Sequence, residues 1–222
     1  MGKLMVIDGL DGCGKSTQLS LLDTYLKGRD AAYRQISFPD YDQPSSALVK
    51  MYLGGELGGS AAAVNAYAAS SFYAVDRYAS YVRYWRKDYE RGIPIVAARY
   101  VTSNAIHQMT KLPENAWDSF LEWLEDYEYN KLGLPKPNSV VFLDMPIAVS
   151  QRLMEGRYGG DLEKKDIHER DLQYLAQCRK AALYAGQKKG WEIIASSNGD
   201  EPLAREVIHK RLVTVFEDMT NG

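Results

Sequence analysis

The stretch VIDGLDGCGKST, residues 6–17, decides the fold of this 222-residue chain. Residues Leu4–Ile7, which favour a β-strand, are followed by a segment that holds three glycines, a lysine and two hydroxyl side chains. From Gly9 onward the order is Gly-x-x-x-x-Gly-Lys-Ser, the pattern of a phosphate-binding loop. This pattern predicts a buried strand that ends in the loop and continues as a helix.

Each residue type in this loop has a physical task. Glycines let consecutive backbone N–H groups turn inward and face a phosphate, and a helix that starts near Lys15 adds the positive end of its dipole. Lys15 can reach the terminal phosphates of a nucleotide, and Ser16 can bind Mg²⁺. We therefore expect a nucleoside-triphosphate site whose phosphate-binding residues are Gly9, Gly12, Cys13, Gly14, Lys15, Ser16 and Thr17.

Composition limits the other possibilities. Hydrophobic residues make up 45% of the chain, which indicates a folded globule, and the net charge of −2 argues against general binding to nucleic acid. No apolar run approaches the roughly 20 residues of a membrane span. The two cysteines, Cys13 and Cys178, form neither a metal pattern nor a disulfide framework. We expect a protein of the reducing cytoplasm, with neither nucleic acid nor a membrane as partner.

Short apolar segments alternate with helical patterns along the chain. This alternation predicts an α/β fold with parallel strands joined by right-handed crossovers. In such a sheet, ligands bind beyond the carboxyl ends of the strands. The predicted strands are 3–9, 32–38, 93–98, 139–145 and 191–196, and the predicted helices include 15–28, 60–91, 166–189 and 202–218.

The aromatic segment SFYAVDRYASY, residues 71–81, belongs to the long helical pattern. Tyr73 and Arg77 are spaced i and i+4, so a helix places them on one face. There an aromatic plane can stack on a base while the guanidinium donates to a carbonyl. Taken alone, the spacing favours the simpler arrangement of a core tyrosine and a surface arginine.

Two later segments also carry polar side chains. Arg99 and Asn104 follow the third predicted strand at its carboxyl end, where an arginine can bind a phosphate and an amide can pair with a base edge. Arg157 lies in the polar, glycine-bearing segment 152–166, which we expect to be a mobile lid. A structural capping network and a solvated helix end are the alternatives for these two segments.

Six motifs follow one another along the chain: the phosphate loop with its internal acid, FYAVDRY (72–78), RYVTSN (99–104), LDMP (143–146), a basic lid and DIHERDLQYL (166–175). In this order they resemble the thymidylate kinase family over nearly the whole chain. The resemblance implies the three-layer P-loop kinase fold, with a five-stranded parallel sheet flanked by helices, in a single domain (1–222) with a lid at about 152–166. It also implies transfer of the γ-phosphoryl group of ATP to dTMP with Mg²⁺, and a homodimer.

The resemblance assigns a catalytic set. Lys15 and Ser16 would bind the ATP phosphates and Mg²⁺, and Asp11 would lie between the two substrates, near the acceptor sugar or the metal. Arg99 would hold the acceptor phosphate. Arg157 would meet the transferred phosphoryl group, as the loop has no basic residue before Lys15.

The resemblance also implies an acceptor-binding set. Tyr73 would stack on thymine, with Phe72 as the alternative one residue earlier. Arg77 would face a thymine carbonyl, and Asn104 would lie near N3. Phe38 and His107 are further expected substrate contacts, together with Asp11 and Arg99.

Three positions depart from the family pattern. Ala98 stands where relatives usually carry an aspartate before the arginine, and Asp76 or Asp144 could compensate. His107 stands where many relatives carry an aromatic residue that excludes a ribose 2′-OH, and Tyr41 where some carry an arginine near the acceptor phosphate. These changes are compatible with a working thymidylate kinase, a shifted substrate choice or a weakened enzyme.

Two rival functions stay open at this point. One is a related P-loop kinase that acts on another nucleotide or a deoxynucleoside, because Arg77 and Asn104 favour a pyrimidine with carbonyl edges without fixing the 5-methyl group. The other is a nucleotide-binding protein without catalysis. A GTPase is disfavoured, since the chain lacks an Asn-Lys-x-Asp stretch for guanine.

Overall fold

The structure is a computed structural model that describes residues 1–58, 63–158 and 172–222, with the backbone alone for 155–158. Five strands form one sheet in the order β2-β3-β1-β4-β5. β2 pairs with β3 in parallel, and β4 pairs with β5 in parallel. The predicted α/β class and all five predicted strands are confirmed: β1 (Leu4–Gly9), β2 (Arg34–Ser37), β3 (Ile95–Ala98), β4 (Ser139–Asp144) and β5 (Glu192–Ala195).

Helices occupy most of the remaining described chain. All six residues of β1 are buried, as expected for a strand of a sheet covered by helices on both faces. A small antiparallel pair, β6 (Ser197–Asn198) and β7 (Glu201–Pro202), was not predicted. The helices are α1 (Lys15–Lys27), α2 (Ala47–Leu53), α3 (Ala66–Ser80), α4 (Arg86–Glu90), α5 (Thr102–His107), α6 (Trp117–Glu125), α7 (Ile147–Tyr158), α8 (Leu172–Lys189) and α9 (Arg205–Asn221).

The chain divides into two compact units. The first unit comprises Met1–Val6 and Ala32–Asn138, and its largest buried side chains include Trp85, Tyr100 and Phe120. The second unit comprises Ile7–Ala31 and Ser139–Gly222, where Leu22, Phe142 and Leu212 are buried. The phosphate-loop residues lie in the second unit, whereas the predicted base-reading residues lie in the first.

Helix α1 follows its sequence pattern closely. Leu19, Leu22 and Leu26 are buried at the spacing of one helix face. The helix ends at Lys27, and the N–H of Gly28 donates to the carbonyl of Thr24. Within the second unit α1 packs against α9, so this leucine face contributes to the core of that unit.

The long helix predicted for 60–91 is not one regular helix. Helix α3 begins at Ala66, because the side chain of Asn65 accepts the N–H of Ala68 and so caps the first turn. A π-helical turn at Tyr81–Trp85 then separates α3 from α4. The extra residue of such a turn changes which side chains face inward. Here Trp85 is fully buried, with its ring centroid 4.6 Å from that of Tyr81.

The predicted lid and the helix predicted for 166–189 lie partly outside the described residues. Most of the predicted lid, 152–166, falls there; its beginning continues α7 as far as Tyr158. The helix predicted for 166–189 is described from Leu172 to Lys189, as α8.

The last helix is displaced by three residues from the prediction, since it occupies Arg205–Asn221 rather than 202–218.

Candidate active site

The phosphate loop connects β1 to α1 as the sequence predicts. Gly14 lies directly before α1 with a φ of 93°, and Gly12 has a φ of 78°. These left-handed conformations favour glycine, since other residues would place a Cβ in steric conflict. At Gly12 a Cβ would also lie 2.8 Å from the carbonyl oxygen of Ser150. The pattern therefore needs glycine here for backbone shape and for space.

The ammonium of Lys15 lies folded over its own loop. Its Nζ donates to the carbonyl oxygens of Gly9 and Leu10 at 2.7 and 2.8 Å and lies 3.8 Å from Oδ1 of Asp11. Ser16 and Thr17 are exposed in the first turn of α1. The loop thus holds one cation, a carboxylate and two exposed hydroxyls beside the positive end of a helix dipole, a suitable arrangement for a polyphosphate.

The donor chemistry of this loop fits a magnesium ion. Mg²⁺ prefers oxygen ligands, and Ser16 and Asp11 supply a hydroxyl and a carboxylate. Across the described residues, no cluster of three or more histidine, cysteine, aspartate or glutamate side chains forms a ready metal site. Mg²⁺ commonly binds through one or two protein ligands together with substrate phosphates, so such a cluster is not required.

In the first unit, Arg77 and Asn104 meet on one buried carboxylate. Nε and Nη2 of Arg77 donate to the two carboxylate oxygens of Glu128 at 2.7 and 2.6 Å. Nδ2 of Asn104 donates to Oε1 of the same Glu128 at 3.0 Å and to the carbonyl oxygen of Ser70 at 3.2 Å. The structure therefore brings together two residues that the sequence analysis named separately.

This network is almost completely shielded from solvent. Arg77 is 1% exposed, Asn104 2% and Glu128 0%. Burial by itself would lower the pKa of Arg77, but the charge and hydrogen bonds of Glu128 outweigh it and raise that pKa. Loss of either partner would leave an uncompensated buried charge, which costs about 3–5 kcal/mol. The surface arginine considered as an alternative for this position is therefore wrong.

Glu128 was missed by the sequence analysis. It lies in a π-helical turn, Asp126–Lys131, that continues α6. The spacing of the buried residues Trp117, Phe120, Leu121 and Leu124 predicts an amphipathic helix, so α6 itself was detectable. No local pattern separates the buried Glu128 from its half-buried acidic neighbours Glu125 and Asp126.

Tyr73 and Phe72 both contact the aromatic side chain of Tyr52. The Tyr52 ring lies 6.3 Å from each of their rings, edge-on to Tyr73 and tilted to Phe72. Burial, followed by the neighbouring hydroxyls of Tyr52 and Tyr41, raises the pKa of Tyr73. Tyr73 therefore stays neutral at physiological pH, which suits a ring that stacks on an uncharged base.

Lys111 also contacts Tyr52. Its Nζ donates to the Tyr52 hydroxyl at 2.8 Å and to the carbonyl oxygen of Val64 at 2.9 Å. The same ammonium lies 4.8 Å from the Tyr52 ring centroid. Burial lowers the pKa of Lys111 to about 8.

Arg99 follows β3 in a left-handed conformation, with a φ of 62°. Its Nη1 lies 3.2 Å from Nε2 of His107, the last residue of α5. For Arg99 to donate, the imidazole must carry its proton on Nδ1 and accept at Nε2. His107 thus supplies an acceptor for an arginine that is preceded by Ala98 rather than by a carboxylate.

The two carboxylates that could compensate for Ala98 have other partners. Asp76 is 1% exposed and accepts the N–H of Asp40 and the hydroxyl of Ser45. Both oxygens of Asp144 accept hydrogen bonds from Arg179 at 2.6 and 2.8 Å. Neither of these hydrogen-bond sets involves Arg99, so the bonds give no support to a compensating role for Asp76 or Asp144.

The remaining predicted residues are placed as follows. Phe38 is buried with its ring centroid 5.9 Å from that of Tyr100, so it supports the core of the first unit. Tyr41 is exposed. Arg157 lies by its backbone in the last turn of α7, and its side chain is outside the described part of the chain.

The fold and the phosphate loop define a P-loop kinase of the nucleoside monophosphate type. The family model for thymidylate kinase matches residues 7–207. This chain belongs to the thymidylate kinase family. It is 32% identical to a thymidylate kinase of Mycobacterium tuberculosis (strain CDC 1551 / Oshkosh) over 85% of this chain and 87% of that relative, and 26% identical to that of Caenorhabditis elegans over 98% and 91%.

A solved structure supports the fold independently. The thymidylate kinase of Candida albicans superposes with a TM-score of 0.69, at 21% identity, and covers 98% of this chain and 92% of that one. In the described ranges, no helix combines the length and the apolar character needed to cross a membrane.

Proposed function

We propose that this protein transfers the γ-phosphoryl group of ATP to dTMP, giving dTDP and ADP. Family membership supports the reaction type. The observation that carries the choice of acceptor is the pairing of Arg77 and Asn104 on Glu128, since these side chains can offer a donor and an acceptor to the edge of a pyrimidine.

On this proposal the phosphate loop binds ATP. Lys15 exchanges its bonds to the carbonyls of Gly9 and Leu10 for the terminal phosphate oxygens, and the loop N–H groups hold the remaining phosphates. Ser16 and Asp11 would hold Mg²⁺. When bound, the ion neutralises charge on the phosphate oxygens.

The acceptor is bound by residues of the first unit. Tyr73 stacks on the base, and Arg99 holds the phosphate of dTMP with His107 at its side. An acceptor phosphate oxygen is already anionic, so no side chain has to act as a general base. Positioning and charge stabilisation then supply most of the rate.

We further propose that the lid arginine, Arg157, stabilises charge on the transferred phosphoryl group. Residues 1–222 would act as a single kinase domain with its lid at 152–166. The Arg157→Ala variant should lower kcat by on the order of 10³-fold if this residue acts as an arginine finger does. Near-normal turnover would remove Arg157 from that role.

A homodimer is also proposed, through one face of α3 and the turn that follows it. Tyr67, Val75, Tyr78 and Val82 recur at helical spacing and are each 41–46% exposed. An exposed apolar stripe of this kind commonly marks an interface. Light scattering should give twice the 25.0 kDa of one chain, and a Val75→Glu/Tyr78→Glu variant should give one chain.

The experiment that tests the catalytic proposal is a coupled ADP-release assay with a panel of acceptors. dTMP, dUMP, dCMP, a purine nucleotide and thymidine are compared at equal concentration. Turnover that is fastest with dTMP supports the proposal, whereas a preference for another acceptor indicates a related kinase. ATP binding without acceptor-dependent ADP release would identify a non-enzymatic nucleotide-binding protein. A cytoplasmic location is also proposed. Cys13 and Cys178 are both buried as thiols, which suits a reducing compartment.

A further inference from the structure

The hydrogen bonds of Arg77 within the protein use three of the five N–H donors of its guanidinium group. An arginine has five N–H donors, one on Nε and two on each terminal nitrogen. Nε and Nη2 each use one donor on Glu128, and Nη1 uses one on the carbonyl oxygen of Tyr100 at 3.3 Å. Two donors therefore remain, one on each terminal nitrogen.

The charge of Arg77 is compensated before any ligand arrives. Its guanidinium is paired at 2.6 Å with a carboxylate that is completely buried. A second anion would have to compete with Glu128 in a low-dielectric surrounding. A neutral carbonyl oxygen can accept a hydrogen bond from one of the remaining donors without breaking the Arg77–Glu128 ion pair. Arg77 is therefore suited to recognise an uncharged group.

Glu128 also fixes the orientation of the Asn104 amide. Both groups that Nδ2 contacts, the Glu128 carboxylate and the Ser70 carbonyl, are pure acceptors. They can bind the amide nitrogen but not the amide oxygen. Oδ1 therefore lies on the opposite side of the planar amide, where it can only accept a hydrogen bond.

Together these constraints fix which residue donates and which accepts hydrogen bonds, a pattern that we call the donor–acceptor polarity of the site. Arg77 offers donors and Asn104 offers an acceptor, which complements a ring that presents a carbonyl next to an N–H. A ring that presents an amino group next to a bare nitrogen would place donor against donor and acceptor against acceptor. Each such mismatch leaves a polar group unsatisfied.

We propose that Glu128 is a positioning residue that sets this donor–acceptor polarity, and so makes the site reject aminopyrimidine nucleotides. The inference rests on the proposed function and adds to it the residue that holds the two base-reading side chains. Glu128 does not need to touch the substrate, because it acts through Arg77 and Asn104.

The test is Glu128→Gln, assayed with dTMP and with dCMP. A glutamine can donate as well as accept, so Asn104 is free to turn, and Arg77 loses its charged partner. The ratio of kcat/KM for dTMP to that for dCMP should fall at least about tenfold, mainly through a higher KM for dTMP. The KM for ATP should stay within about twofold of the wild-type value, because the phosphate loop lies elsewhere in the chain.

A matched control is Asp88→Asn, which removes the carboxylate partner of Arg34 in the same unit. Its ratio of kcat/KM for dTMP to that for dCMP should equal that of the wild type.

An unchanged ratio in a folded Glu128→Gln variant would overturn the inference. Calorimetry also measures the dissociation constants of dTMP and dCMP, which do not depend on turnover. Failure of wild-type turnover with dTMP therefore counts against the proposed function alone, whereas equal wild-type binding of the two nucleotides counts against Glu128.

A second measurement uses the wild-type protein and does not depend on the folding of a variant. The side-chain amide of Asn104, assigned by its absence in Asn104→Ser, should exchange its protons at least about tenfold more slowly than a free asparagine amide, because both acceptors hold the nitrogen. Exchange at the rate of a free amide would contradict the proposed orientation.

Discussion

Nη1 of Arg99 lies 3.2 Å from Nε2 of His107. Arg99 directly follows Ala98, at the position where the family resemblance predicts a carboxylate. The histidine therefore orients the arginine from the other end of a short helix. This relationship explains how Arg99 can be held although Ala98 offers no side-chain acceptor.

The first prediction concerns this pair. His107→Phe should raise the KM for dTMP about tenfold, because Arg99 loses the acceptor that His107 supplies, while His107→Gln should change it little, because a glutamine oxygen can accept the same bond. Steady-state kinetics with varied dTMP measures both. The Ala98→Asp/His107→Phe variant should recover most of the loss, and a failure to recover would mean that His107 acts in another way.

The second prediction concerns Lys15. Lys15→Ala should lower turnover by at least about 10³-fold, since the only cation of the phosphate loop is removed from the phosphates. Lys27→Ala, which removes an exposed lysine of the same helix, is the matched control and should keep full activity. Retained turnover in Lys15→Ala, with a melting temperature near that of the wild type, would contradict the proposed ATP site.

The third prediction separates two neighbouring rings. Tyr73→Ala should raise the KM for dTMP by about tenfold with a small effect on the KM for ATP, because a stacked base is worth about 1–3 kcal/mol. Tyr73→Phe keeps the ring and should behave as the wild type. If Phe72→Ala gives the larger effect instead, the stacking residue is Phe72 and the assignment of Tyr73 is wrong.

The fourth prediction concerns pH and Lys111. Because burial lowers its pKa to about 8 from the usual 10.5, the unfolded chain binds more protons than the folded one between these values. The free energy of unfolding of the wild type should therefore rise with pH relative to that of Lys111→Met. After allowance for solvent screening, we expect a gain of about 1 kcal/mol between pH 7 and pH 9.5, measured by urea unfolding. An exposed-site variant, Lys27→Met, should show no such relative gain, and a flat difference for Lys111→Met would contradict the lowered pKa.

Local patterns predicted the regular elements well where one periodicity holds throughout. β1 and β3 are short apolar runs that are buried throughout, and α1 has a single leucine face, so burial and spacing agree in these elements. The prediction of one regular helix over 60–91 is wrong because a π-helical turn at Tyr81–Trp85 inserts a residue into the helix. The amino-acid composition of such a turn does not distinguish it from an α-helix.

The sequence by itself determined the phosphate loop. Its residues, Gly9 to Ser16, are contiguous in the sequence and join the end of β1 to the start of α1, so their spacing was enough to predict the loop. Tertiary structure alone decided the base-reading network, since Arg77 and Glu128 are 51 residues apart and Asn104 lies 24 residues from Glu128. Carboxylates are usually exposed to solvent. The packing of α3, α5 and the turn after α6 buries the carboxylate of Glu128 and makes it a partner of two side chains.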